Sequence, residues 1–123
     1  MISVENLDAG YGKIHILHEI SFKTRKGKIT AVVGPNGSGK STLLKTIFGQ
    51  TTIYNGVIRL DGDTITGKPS HVISRLGVSY LPQLNNLFTS LTVRENLLMS
   101  GYTLDERERE ERLSNVLEVF PFL

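Results

Sequence analysis

Alternating and clustered hydrophobic positions in the first third of the chain predict β-strands. Residues 2–7 alternate over their first part and predict one strand, and the β-branched, apolar stretch over 14–22 predicts a second, with a turn over 8–12 between them. A compact apolar run over 29–33, bounded by glycines, is typical of a strand buried on both faces. The N-terminal part of the chain is therefore expected to be rich in β-structure.

After position 40 the spacing of apolar residues becomes helical. Residues 43, 44, 47 and 48 lie on one helical face, and Gly49 is placed to end the helix. Asn55-Gly56 and Asp61-Gly62 predict turns. The second pair lies between β-prone runs and predicts a hairpin, because both central residues of such a turn need positive φ.

The remainder of the chain is predicted to be mostly helical. A short helix is expected over 70–75 and a strand over 76–81, and Thr92-Val93-Arg94-Glu95 has the form of a capping box. A second cap is expected within 103–106. Beyond it, apolar residues recur at helical spacing at positions 113, 116, 117 and 120, and Pro121 ends that helix. The pattern as a whole predicts a mixed α/β fold.

Composition and charge exclude several classes of protein. Of 123 residues, 39% are apolar and 21% are charged, which fits an ordinary globular domain. The net charge is only +2 with the two signs interleaved, so a broad nucleic-acid-binding face is not indicated. There is no cysteine, which excludes disulfides and thiolate metal sites. No apolar run approaches the roughly 20 residues needed to cross a bilayer, so a membrane role would require a partner.

Two groups of polar residues are assigned no functional role. His15 and His18 are three positions apart in a predicted strand, so they are expected to point to opposite faces and not to share a metal. His71 is isolated. The alternating charges over 105–112 are typical of a solvated helix face rather than of a binding patch.

One segment carries a specific chemical signal. Gly34, Gly39, Lys40 and Ser41 match the phosphate-loop pattern G-x-x-x-x-G-K-[ST] without a mismatch. The glycines let backbone N–H groups turn toward phosphate oxygens at the start of a helix whose dipole favours anions. The lysine can reach the β- and γ-phosphates, and the serine hydroxyl can ligate Mg²⁺. A glycine-rich turn that matches by chance is the alternative, but the strand predicted before it and the helix predicted after it favour nucleotide binding.

The phosphate loop and the segments around it resemble the ATPases of ABC transporters, in the same order along the chain. The stretch over 34–44 resembles their Walker A segment, and Tyr11-Gly12 resembles their aromatic A-loop. Residues 56–62 resemble the hairpin of the β-subdomain, Tyr80-Leu81-Pro82-Gln83 the Q-loop, and 91–97 the segment that enters the helical subdomain. The resemblance implies an α/β fold of the P-loop NTPase class, ABC ATPase type, with an antiparallel β-subdomain.

The resemblance also implies roles for individual residues. Tyr11 would stack on the adenine, the alternative being a turn tyrosine that packs on its own hairpin. Lys40 and Gln83 would be the catalytic residues, and Ser41 and Gln83 would ligate Mg²⁺. ATP would be bound by Tyr11 and by the loop residues Gly34, Pro35, Asn36, Gly37, Ser38, Gly39, Lys40, Ser41 and Thr42.

Several elements that an ATPase of this family needs are not recognisable in the sequence: the Walker B strand, the signature segment, the D-loop and the switch histidine. The chain is therefore expected to be an N-terminal half, truncated before the Walker B strand. Residues 1–91 would form its nucleotide-binding core. Residues 92–123 would form the beginning of the α-helical subdomain. We expect exposed apolar strand faces, and nucleotide binding without efficient hydrolysis by these residues alone.

At the level of function, the resemblance implies the ATP-binding subunit of an ABC transporter, which couples ATP binding and hydrolysis to transport. Its partners would be membrane-spanning permease subunits and a second nucleotide-binding domain, so the protein would be cytoplasmic and peripheral on the inner face of the membrane, with no nucleic acid bound. The ATPases of branched-chain amino-acid importers are the members of the family that the chain resembles most, and those of lipopolysaccharide exporters come next. The segments that carry this resemblance are 11–17, 65–69, 71–73, 75–78 and 91–97. Gln83, within 82–87, departs from the importers, which commonly have glutamate there. A soluble ABC-type ATPase that acts on nucleic acid or ribosomes is the alternative.

Overall fold

The computed structural model describes residues 1–84 and 86–123, which form two compact units, Met1–Tyr80 and Leu81–Leu123. The first unit contains β1 (Ile2–Tyr11), β2 (Ile14–Lys23), α1 (Lys40–Ile47), β3 (Thr52–Leu60), β4 (Asp63–Thr64) and α2 (Ser70–Arg75). The second contains α3 (Val93–Ser100) and α4 (Glu106–Val119). Within these described ranges, none of the helices has the length and apolar character needed to cross a membrane.

An antiparallel sheet of four strands, in the order β2-β1-β3-β4, organises the first unit. β1 lies between its two long neighbours, so that Val4 is opposite Phe22 on one side and Ile58 on the other. Apolar side chains of the sheet pack with those of α1 into one buried cluster, which contains Val4, Leu7, Ala9, Leu17, Leu43, Ile47, Ile58 and Ile65. The predicted antiparallel β-subdomain is confirmed, as are the first two strands and the helix after position 40.

The turns agree with the predictions only in part. Asp61-Gly62 forms the tight turn between β3 and β4, with φ of 48° and 100°, as predicted. Asn55-Gly56 is not a turn; it lies inside β3, next to a shift in the pairing register between β1 and β3. Such an irregularity places a residue of positive φ within a strand. The turn expected over 8–12 is also shorter, because β1 continues to Tyr11, which pairs with Ile14.

Two predicted strands are not formed. Residues 29–33 and 76–81 have no strand structure, and Ile29 and Val33 are 100% and 87% exposed where burial on both faces was expected. A strand exists through hydrogen bonds to a neighbouring strand, and no residue of the described ranges forms a ladder with either segment. The apolar pattern therefore indicated a preference for extended backbone but could not supply the partner.

The second unit is built on two helices whose N-termini are capped by side chains. The predicted capping box of α3 is confirmed, since the Thr92 hydroxyl accepts from the Glu95 N–H and the Glu95 carboxylate accepts from the Thr92 N–H at 2.7 Å. The cap expected within 103–106 is confirmed: Asp105 is the N-cap of α4, and its carboxylate accepts from the Glu108 N–H at 2.8 Å. Aspartate is among the strongest N-cap residues.

Helix α4 is mostly solvated, as its charge pattern predicted. Leu113 is its one buried residue, and Phe120, the last residue of the predicted apolar stripe, is 46% exposed. On the polar side, Arg112 pairs with Glu108 one turn away at 2.7 Å. This ion pair is exposed and contributes little stability.

Candidate nucleotide-binding site

The predicted phosphate loop runs directly into α1, and Gly39 is the residue at which the loop becomes helix. Gly39 has φ 88°, in the left-handed region. A Cβ atom there would lie 2.9 Å from Cδ2 of Leu17 and 3.5 Å from Cγ2 of Ile16. The backbone angle therefore favours glycine, and the contacts with Leu17 and Ile16 place this part of the loop against β2.

The N-terminus of α1 is free to bind an anion. Gly39 has no side chain that could cap the helix, and the first turn contains no acidic residue. The N–H groups of a first turn have no acceptors within the helix, and the helix dipole makes this end favourable for negative charge. Ser41 is exposed in this turn, whereas Thr42 is buried. This arrangement matches the requirements of a bound phosphate group.

The ammonium group of Lys40 lies against the backbone of the loop. Its Nζ donates to the carbonyl oxygen of Gly34 at 2.8 Å and to that of Pro35 at 2.6 Å. The loop is closed by a hydrogen bond from the Ser38 N–H to the Pro35 oxygen at 3.3 Å. The lysine is thus held beside the loop by neutral acceptors, which phosphate oxygens can replace with charge-assisted hydrogen bonds.

Tyr11 is the last residue of β1 and is 40% exposed. Its ring carries an apolar face and a polar tip, the combination that suits stacking on a base. Tyr11 lies at the end of the β1–β2 hairpin, and the same hairpin carries Leu17, against which Gly39 packs. One hairpin therefore supports both the phosphate loop and the tyrosine.

Gln83 belongs to the second compact unit, where it is exposed. Asn85, which is part of the 82–87 segment, lies outside the described residues. The Ser41 hydroxyl and the Gln83 amide oxygen are hard oxygen donors, the kind that Mg²⁺ takes, with phosphate oxygens of a nucleotide supplying further ligands. Each of these two oxygens, one in either unit, is therefore of a kind suited to a nucleotide-bound Mg²⁺. Across residues 1–84 and 86–123, no group of three or more His, Cys, Asp and Glu is placed to hold a metal by itself.

The prediction that His15 and His18 point to opposite faces is wrong. Their ring centroids are 6.2 Å apart and the planes differ by 18°. The β1–β2 register shifts between His15 and Leu17, which lie opposite the adjacent residues Gly10 and Ala9. The extra residue, Ile16, breaks the simple alternation of side chains between the two histidines. His15 also stacks on Tyr54, with centroids 3.7 Å apart and planes 5° apart.

The family model described as ABC transporter matches residues 17–122 of the chain. The chain belongs to the ABC transporter family. An Archaeoglobus fulgidus relative, described as a probable branched-chain amino acid transport ATP-binding protein, LivF, is 49% identical over 123 residues, which is 100% of this chain and 52% of the relative. The high-affinity branched-chain amino acid transport ATP-binding protein BraG of Pseudomonas aeruginosa is 40% identical over 123 residues, 100% of this chain and 53% of the relative.

Solved structures of ABC transporter cassettes share the fold. The structure of an ATP-binding subunit of an ABC transporter matches with a TM-score of 0.76 and 31% identity, over 96% of this chain and 49% of that one. The P-loop NTPase fold of the ABC ATPase type is therefore confirmed. This member of the ABC transporter family spans about half the length of the curated relatives it matches.

Sequence reasoning missed two polar arrangements near the site. The Tyr54 hydroxyl reaches the turn that follows Tyr11, and the buried Thr46 of α1 accepts a hydrogen bond from the Thr51 hydroxyl at 2.7 Å. The contact of the tyrosine has no spacing signal in the sequence, because Tyr54 and the turn are brought together only by the pairing of β3 with β1.

Proposed function

We propose that this chain is part of the ATP-binding subunit of an ABC transporter, and that residues 34–42 hold the phosphates of ATP. The observation that carries the proposal is the loop itself. Lys40 lies on the carbonyl oxygens of Gly34 and Pro35 at the uncapped N-terminus of α1. A cation and free N–H groups at one point are suited to a polyphosphate. Tyr11, on the hairpin that supports the loop, would stack on the adenine.

The roles follow the chemistry of phosphoryl transfer. Such catalysis depends mainly on positioning and on stabilising charge. Lys40 would bind the β- and γ-phosphate oxygens, and Ser41 and Gln83 would hold Mg²⁺. When bound, Mg²⁺ would neutralise charge on the β- and γ-phosphates. Gln83 would also orient the attacking water.

The transport function is inferred from the relatives. The two relatives described above are ATP-binding proteins of branched-chain amino acid transport, which supports transport of branched-chain amino acids as the process this subunit drives. Membrane-spanning permease subunits and a second nucleotide-binding domain would be its partners. The subunit would then lie in the cytoplasm on the inner face of the membrane. We also infer that residues 1–123 alone bind nucleotide but hydrolyse it inefficiently.

Binding of ATP to wild-type protein and to Lys40→Ala tests the proposal, with Lys45→Ala as the matched control. Lys45 lies on the same helix, in its last turn. Calorimetric titration with ATP and Mg²⁺ should show that Lys40→Ala weakens binding by about 10-fold or more, because charge-assisted hydrogen bonds contribute about 1.5–3 kcal/mol each. Lys45→Ala should bind as the wild type does. Equal affinity of all three proteins would refute the phosphate-loop assignment.

A further inference from the structure

We propose that Tyr54 is a positioning residue for nucleotide binding, acting on the turn that presents Tyr11 to the base. The inference rests on the proposed function, in which Tyr11 stacks on the adenine. Tyr54 lies on β3, two strands away from β2 across β1. Nothing in the phosphate-loop pattern points to it.

The hydroxyl group of Tyr54 binds the two carbonyl groups that flank the turn. It lies 2.9 Å from the oxygen of Gly12 and 3.2 Å from the oxygen of Ile14. A phenol has one proton to donate, so the two oxygens share it. One donor therefore holds both Gly12, which follows Tyr11, and Ile14, which pairs with Tyr11. The geometry of the turn is thereby fixed from outside the hairpin.

His15 holds the ring of Tyr54 in place. The two rings stack with centroids 3.7 Å apart and planes within 5°. His15 pairs with Gly10 across the β1–β2 ladder, and a Cβ atom on Gly10 would clash with the Ile14 backbone oxygen. The two strands of the hairpin are therefore in close contact at the point where His15 meets the Tyr54 ring. The stack and the hydrogen bonds together form one rigid support, the Tyr54 support, made of Tyr54, His15, Gly12 and Ile14.

A rigid support affects the base more than the phosphates. Stacking requires the Tyr11 ring to lie in one plane, and a turn that is already ordered loses less conformational entropy when the base binds. The phosphate loop contacts the same hairpin away from this turn, through Gly39 against Leu17, and the ammonium group of Lys40 contacts the backbone of the loop itself. Loss of the Tyr54 support should therefore weaken the binding of the base and leave phosphate binding unchanged.

Tyr54→Phe in the intact protein tests this, because it keeps the ring and removes the hydroxyl. Affinities for ATP and for inorganic tripolyphosphate, each with Mg²⁺, are measured by calorimetry. We expect ATP binding to weaken by about 2- to 12-fold, the value of one hydrogen bond, and tripolyphosphate binding to stay the same. In a Tyr11→Ala background, which removes the stacking ring, Tyr54→Phe should have no further effect on ATP binding.

The outcomes separate this proposal from the proposed function. Equal losses for ATP and tripolyphosphate, no loss for ATP, or the same loss in the Tyr11→Ala background would each overturn the positioning role. A wrong phosphate-loop assignment would give a different result: Lys40→Ala would bind ATP with the same affinity as the wild type. His15→Ala is the second variant, should Tyr54→Phe not fold. It removes the stack while keeping the hydroxyl, and it should likewise weaken ATP binding without weakening tripolyphosphate binding.

Discussion

Gly56 is the position at which a single added methyl group should test the packing of the sheet most directly. It has φ 94° inside β3. A Cβ atom there would lie 2.5 Å from the Asn6 carbonyl oxygen and 2.6 Å from Cα of Leu7. Both are backbone atoms of the central strand, which cannot rotate away as a side chain can. Gly56→Ala therefore combines backbone strain with a steric conflict.

Gly62 supplies a matched control for the backbone strain alone. It has φ 100°, and a Cβ atom there would meet nothing within 4 Å. Alanine in this region of backbone space costs about 1–2 kcal/mol, so Gly62→Ala should lower the free energy of unfolding by about that amount. Overpacking adds about 1–3 kcal/mol. Gly56→Ala should therefore destabilise by about 2–5 kcal/mol, a large share of the roughly 5–15 kcal/mol that stabilises a typical domain.

Urea unfolding followed by circular dichroism measures both variants against the wild type. The midpoint should fall further for Gly56→Ala than for Gly62→Ala, with similar dependence of the free energy on urea concentration. If both substitutions destabilise the protein equally, the close approach of β1 to β3 does not limit that position, and the reasoning is refuted.

Three further predictions concern hydrogen bonds. Thr46→Val should lower the free energy of unfolding, measured in urea melts, by about 1–2 kcal/mol. The substitution removes the buried hydrogen bond from the Thr46 hydroxyl to the Thr42 oxygen, 2.7 Å, and leaves the Thr51 hydroxyl without its acceptor. A variant as stable as the wild type would contradict this. The Thr92 hydroxyl and N–H hold the pKa of Glu95 below its ordinary value, so Glu95 should stabilise α3 above the ordinary glutamate pKa and lose this effect as the pH falls through the lowered one; helicity that titrates identically in Glu95→Gln would count against it. The hydrogen bond from the N-terminal ammonium group, and after it the charge of that group, lowers the pKa of Asp61. NMR titration should therefore show an Asp61 midpoint below the ordinary aspartate value, and the midpoint should rise when the N-terminus is acetylated. A midpoint that acetylation leaves unchanged would refute the contact.

Local signals in the sequence correctly predicted the elements that depend on neighbouring residues. The capping box at Thr92, the Asp61-Gly62 turn and the helix that begins at Lys40 are all fixed within a few residues of chain. Hydrogen bonds of this kind form within one turn of backbone, so the pattern of residue types is enough to recognise them. The phosphate-loop pattern is also local, and the positive φ of Gly39 gives the reason why glycine is favoured there.

Predictions that depended on distant partners were less successful. Residues 29–33 have the composition of a buried strand, yet Ile29 is fully exposed, because no ladder forms with them in the described ranges. Asn55-Gly56 has the composition of a turn, yet it lies within β3 beside Asn6. In both cases the local preference was real, but pairing between strands decided the outcome.

By itself, the sequence determined the phosphate-loop pattern over 34–41 and the helix that begins at Lys40, because both depend on residue types close together in the chain. Only the tertiary structure decided what surrounds that loop. It placed His15 on the same side as His18 and brought Tyr54 to the turn after Tyr11. These contacts depend on strand register, including the shift between His15 and Leu17. A shift of one residue moves every following side chain to the other face of a sheet, and the sequence pattern carries no record of where that shift occurs.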